Sequence, residues 1–195
     1  MRENSRTENR FHRDCQHKEM DCSSCPEREA CEKFITEGIL IDCKSFYYVY
    51  CWLSEETRMP VYCGDQKQFE AAVDAYFEKK FAQPDLQIPQ WTNGAFAAEL
   101  ALKYLYAREH KRYGSIHGLY ELFYGLPEIH RAALINRIKR DAHQSDESME
   151  EQLRFISNAF VKSRYFFEYD TVAFTGLFDP FVRIVCDYVI SFHSQ

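Results

Sequence analysis

Four cysteines stand close together near the start of the chain, at Cys15, Cys22, Cys25 and Cys31. Two residues separate Cys22 from Cys25, a spacing that lets both sulfurs turn onto one tetrahedral ion, and the short flanking spacers let Cys15 and Cys31 complete the set. Structural zinc is the leading reading of this pattern. An iron-sulfur cluster takes the same four thiolates, His12 or His17 could replace one cysteine, and a loop of unmetallated thiols is the plain alternative. An ion held by four protein ligands keeps no open position, so it would hold the segment together rather than catalyse.

A second group lies in the C-terminal half. Arg164 falls on the apolar stripe of a predicted helix, and Glu168 follows four residues later on the same face. A guanidinium keeps its proton, so a buried one needs a carboxylate or a ligand to hold it. Glu168 and Glu99 are the natural partners. The plain reading is a structural polar pair, Glu99 with Arg164, that fixes helix packing. The sharper one is a polar cleft that binds phosphate or polarises a phosphodiester. His117, at the head of a short predicted helix, is the histidine best placed to lie near such a cleft, although a histidine there more often only caps its helix. Cys43, Cys51, Cys63 and Cys186 read as small buried hydrophobes without a chemical role.

The elements that would position these residues follow from composition and periodicity. Residues 1–13 are polar and charged and read as a disordered tail. Residues 14–38 form the cysteine-rich segment, in which Pro26 opens a short helix carrying Cys31. Residues 39–64 turn rich in Ile, Val, Tyr and Phe around a polar Ser54-Glu-Glu-Thr-Arg58, which predicts a β-hairpin with Pro60 on its edge strand. From 65 to 195 the chain reads helical. Phe69, Val73, Tyr76 or Phe77, and Lys80 or Phe81 make one stripe, and a second helix capped by Asn93 runs to about His110. A short helix spans 116–124, another begins at Glu128, and Met149, Leu153, Ile156, Phe160, Arg164 and Phe167 recur three or four residues apart. Asp179-Pro180 begins a last helix with Phe181, Val185, Val189 and Phe192 buried. The expected fold is mainly α, an antiparallel helical bundle with an N-terminal cysteine-rich segment and a small β-hairpin.

With 195 residues the chain can build one proper core. Its formal charge of −6 argues against a surface wholly devoted to nucleic acid. Local basic stretches do exist at residues 108–113 (Arg-Glu-His-Lys-Arg-Tyr) and 131–140, but helices usually carry such charge as a solvated face. No apolar run approaches the ~20 residues of a membrane span, and the N-terminus lacks a signal-peptide stretch. A cytoplasmic protein with reduced thiols is the expectation.

Three stretches resemble the HEPN domain superfamily, helical proteins of prokaryotic defence, toxin-antitoxin pairs and RNA processing. They are Phe96-Ala-Ala-Glu99-Leu-Ala-Leu-Lys103-Tyr-Leu, then His117-Gly-Leu-Tyr-Glu-Leu-Phe followed by Leu126-Pro127, and Ile156-Ser-Asn158-Ala-Phe-Val-Lys-Ser-Arg164-Tyr-Phe-Phe-Glu168. The resemblance implies a bundle over residues 65–195 and a homodimer. Catalytically active members cut RNA with an arginine followed four to six residues later by a histidine. Here the next histidine after Arg164 is His193. The resemblance therefore implies a non-catalytic binding or regulatory module of a defence or stress system, with a protein or RNA as partner. The alternative it leaves is a divergent, metal-independent endoribonuclease using Arg164 and Glu168, with His117 or Asn158. Glu168 could act as a base there only if its surroundings raised its pKa towards the working pH.

Overall fold

The computed structural model describes residues 28–57, 65–82, 86–110, 116–158 and 176–194. Seven helices occur among them: α1 Arg28–Thr57, α2 Gln66–Ala82, α3 Gln87–His110, α4 Leu119–Tyr124, α5 Glu128–Asp141, α6 Asp146–Ile156 and α7 Phe178–His193. The mainly helical expectation is met. The expected tail at 1–13 lies outside the described residues, as do Cys15, Cys22, Cys25, Cys63, Arg164 and Glu168.

The expected β-hairpin at 39–64 is overturned, because residues 39–57 are the greater part of α1. Its β-branched and aromatic side chains favour strands, but its apolar residues obey a helical period. Leu40, Cys43, Tyr50 and Leu53 share the buried face, whereas Ile41, Tyr48 and Trp52 are exposed. Nor does the polar Ser54-Glu-Glu-Thr run turn the chain. Ser54 Oγ donates to the Tyr50 carbonyl at 2.7 Å and Thr57 Oγ1 to that of Leu53 at 2.9 Å, each one turn back, and both hydroxyls also meet the Gln90 side chain of the helix that begins at Gln87, at 3.1 and 2.6 Å. The boundary expected at 38/39 disappears with the hairpin. Cys31, instead of sitting on a short separate helix, lies in the first turn of this 30-residue one.

Packing explains why helix wins. α1 lies along α3, and α3 in turn contacts α7 and α4, while α5 packs on α7 and α4 on α6. The α3 face beneath α1 is built from small residues: Ala95, Ala97, Ala98 and Ala101 are fully buried. Tyr50 lies across Gly94 so closely that a Cβ there would stand 2.7 Å from ring atom Cδ2 and 2.9 Å from Cε2. The Tyr50 ring is itself fully buried, and its hydroxyl donates to Asp179 Oδ1 of α7 at 2.7 Å. One residue thus ties three helices. Cys43 Sγ donates to the Ala97 carbonyl at 3.5 Å along the same seam. Cys43 and Cys186 are buried, as expected, and Cys51 is partly so.

Further boundaries differ from expectation. α3 begins at Gln87, so Asn93 is internal and its amide donates to the Pro89 carbonyl at 2.6 Å instead of capping. α7 begins at Phe178, which places Asp179 and Pro180 inside the first turn. On α2, Phe69, Phe77 and Phe81 of the expected stripe are exposed. Met149, Leu153 and Ile156 of α6 are buried as the periodicity predicts, and Ser145 caps that helix by accepting from the Ser148 amide.

Replacing Gly94 with alanine should lower stability by about 1–3 kcal/mol in urea unfolding, because neither ring nor helix can retreat from a full seam. Gly38 lies on the same long helix, where an added Cβ meets nothing within 4 Å, so Gly38→Ala should raise stability by up to ~1 kcal/mol. Equal effects of the two substitutions would refute this account of the seam.

Candidate functional site

Glu99 sits in the middle of α3 among alanines and leucines, and only 1% of it is exposed. A carboxylate taken out of water needs partners. One comes from its own helix: Lys103, four residues on, stands directly over it and donates from Nζ to Oε1 at 2.8 Å. The second comes from the segment before α4, where His117 Nδ1 lies 2.8 Å from the same oxygen. Lys103 Nζ and His117 Nδ1 are 3.4 Å apart, so the three ionisable groups form one cluster around a single oxygen. Glu99 Oε2 is also buried, and among the described residues it has no hydrogen-bond partner.

The cluster grades from core to solvent. Lys103 keeps 12% of its side chain exposed and His117 63%. Because Nδ1 meets a carboxylate, the geometry selects the tautomer that carries its proton there, which leaves Nε2 as a proton acceptor. An imidazole oriented by a buried carboxylate is an arrangement that can take up a proton from a bound group.

What fixes His117 is the start of α4. The Ser157 carbonyl, at the end of α6, accepts from the Leu119 amide at 2.8 Å, and Ser157 Oγ accepts from the Tyr120 amide at 3.2 Å. The same hydroxyl donates to Glu121 Oε2 at 2.8 Å. Two otherwise unpaired amides at the helix N-terminus are thereby satisfied by a residue far away in sequence. α6 is anchored further by Tyr120, whose hydroxyl donates to Glu150 Oε1 at 3.1 Å, with Arg154 over the Tyr120 ring at 4.1 Å.

Of the residues singled out by sequence, the structure brings together Glu99 and His117. Asn158 is exposed next to Ser157. Arg164 and Glu168 lie outside the described residues, and so does the expected Glu99 to Arg164 pair; Glu99 is held by Lys103 and His117. Lys103, Ser157 and Glu121 were missed. The i to i+4 step from Glu99 to Lys103 was a readable signal, but the capping role of Ser157 had none. No group of three or more metal-binding side chains gathers among the described residues, and three of the four cysteines proposed as ligands fall outside them. None of the described helices is long and apolar enough to cross a membrane.

Removing the charge of Glu99 should release both partners. Glu99→Gln is expected to cost on the order of 3 kcal/mol in chemical unfolding, as when one member of a buried ion pair is removed. Nitrogen-15 spectra of the imidazole should show the Nδ1-protonated tautomer of His117 in the wild type and a mixture in the variant. A wild-type spectrum with the proton on Nε2 would contradict the cluster geometry.

Neither the curated proteins nor the solved structures provide a match to this chain. The family model of the HEPN domain matches residues 95–175, a stretch that includes Glu99, Lys103, His117 and Ser157, so the part of the chain that holds this corner is similar to a HEPN domain.

Proposed function

We propose that the chain is a non-catalytic, HEPN-type binding and regulatory module of a prokaryotic defence or stress system, acting as a homodimer in the cytoplasm. The observation that supports this reading is the spending of Lys103 and His117 on one oxygen of Glu99. Phosphodiester cleavage by proton transfer needs a base for the 2′-hydroxyl and an acid for the leaving oxygen. In this corner the ammonium and the imidazole both hydrogen-bond one oxygen of a buried carboxylate, which suits a rigid fixture for presenting a surface better than a pair of independent catalysts.

A second reading has one specific observation in its favour: His117 turns Nε2 away from the carboxylate and is largely exposed. On that reading the module is a divergent endoribonuclease in which His117 is the base, with Arg164, Glu168 and Asn158 as the remaining candidates. Incubating the purified protein with long single-stranded RNA separates the two. The proposal expects intact RNA after hours at equimolar protein. Cutting that disappears in His117→Ala would replace it with the second reading. Light scattering on the same sample should give twice the chain mass, and a monomer at micromolar concentration would remove the dimer.

The N-terminal cysteines belong to the same proposal as a structural zinc site of Cys15, Cys22, Cys25 and Cys31, with an iron-sulfur cluster as the alternative. Cys31 fits a ligand role by its place in the first turn of α1, where the rigid helix would fix one thiolate for the segment before it. Elemental analysis of protein purified without oxygen should find one zinc per chain and no visible absorbance. Iron with visible absorbance would point to the cluster, and no metal at all would remove the site.

A further inference from the structure

α1 carries two apolar stripes on opposite sides. At about 100° per residue, Leu40, Cys43, Tyr50 and Leu53 gather on the side that packs against α3. Phe34, Ile41, Tyr48 and Trp52 gather on the reverse side, within about 40° of one another. There they are 80%, 62%, 75% and 56% exposed. Between the large residues the outer stripe holds two small ones. A Cβ added at Gly38 would meet nothing within 4 Å, and Ser45 turns its hydroxyl back onto the Ile41 carbonyl at 2.9 Å.

The order of large and small residues along this stripe is self-complementary. A second α1 laid antiparallel about a two-fold axis level with Cys43 brings Phe34 opposite Trp52, Gly38 opposite Tyr48 and Ile41 opposite Ser45, each layer then occurring twice. Tyr48 fills the space that Gly38 leaves, and Ile41 the space beside Ser45. The same axis sets Lys33 on one flank beside Glu55 of the second copy, a favourable charge pairing. Parallel pairing would stack glycine on glycine and serine on serine and leave gaps between the aromatic layers. At their exposures the four large side chains offer on the order of 600 Å² per copy, and two such faces together reach the ~1,000 Å² that a specific interface needs. A lipid surface is a poorer fit. Glu37, Asp42, Glu55 and Glu56 border the stripe against only Lys33 and Lys44, whereas helices that lie on membranes are rich in Lys and Arg.

We propose that the outer face of α1 docks antiparallel on the same face of a second copy of this chain, through Phe34, Gly38, Ile41, Ser45, Tyr48 and Trp52. The inference rests on the homodimer reading above and names its surface. That surface lies outside residues 95–175, so the similarity to a HEPN domain does not supply it. With α3 against one side of α1 and a second α1 against the other, the longest helix of the fold is enclosed on both its apolar faces. The Glu99 corners of the two copies then stand on opposite sides of the helix pair, beyond α3 in each.

The test is light scattering on the full chain after size exclusion, over a range of micromolar concentrations. Wild-type protein should have twice the chain mass. Gly38→Leu, which meets open space within its own copy but Tyr48 of the second, should raise the dissociation constant at least tenfold. Phe34→Lys and Trp52→Glu should each give the mass of one chain. An equimolar mixture of these two variants should regain the two-chain mass, because one layer then pairs lysine with glutamate and the other restores phenylalanine with tryptophan. Positions 34 and 52 are about 27 Å apart along one helix, so this rescue has no route within a single copy. Far-ultraviolet circular dichroism should show each variant as helical as wild type, since every substituted side chain faces away from its own core. A wild-type monomer overturns both the homodimer and its surface. A wild-type dimer that survives Gly38→Leu, Phe34→Lys and Trp52→Glu overturns this surface and leaves the homodimer standing, and a mixture that stays monomeric overturns the antiparallel pairing.

Discussion

The approach of α1 to α3 is the constraint on which the other elements depend. Two helices can lie this close along their length only if one presents small residues, and α3 does so through Gly94, Ala97, Ala98 and Ala101. Tyr50 fills the space so provided and carries its hydroxyl through to Asp179, which sets α7 against the pair. Once α3 is enclosed by α1 and α7, its middle is dry. A glutamate at position 99 then has to be answered from the remaining open side, where the segment before α4 arrives with His117. The candidate site is thus a consequence of how tightly the first and last helices embrace the central one.

How legible this was in the sequence depends on the range of the interaction that decides each feature. The presence of α2, α5, α6 and α7 was readable because helical spacing is local, although the aromatic stripe of α2 is exposed and the start of α7 lies one residue before Asp179. α1 was not, although its length is the largest in the fold. Its run of Phe46, Tyr47, Tyr48, Val49 and Tyr50 has the side chains of a strand, and the burial that selects helix comes from α3, about fifty residues away. The start of α3 was misplaced for a related reason: Asn93 has the chemistry of a cap, yet its helix had already begun two turns earlier.

The same rule sorts the site. Glu99 to Lys103 is an i to i+4 step and could be read directly. His117 was placed near a polar cleft from its position at a helix head, but nothing local named Glu99 and Lys103 as the groups it meets there. Ser157 could not have been found, because its role is to cap a helix that begins 38 residues before it, through both its carbonyl and its hydroxyl. Long-range capping leaves no spacing signature.

The choice of partner for each cation then determines what the surface can do. Among the described residues four guanidiniums find carboxylates: Arg28 with Glu32, Arg131 with Glu128, Arg140 with Asp141 and Arg154 with Glu150. Such pairs on exposed helix faces contribute little stability and leave little field for a ligand. Arg108 and Arg137 are held by rings instead. A ring fixes the position of a guanidinium without cancelling its charge, since the attraction is to a quadrupole rather than to an opposite ion. The corner at Glu99 differs from both, because there a lysine and a histidine from two segments meet one buried oxygen, and the partners are fixed by the packing around α3.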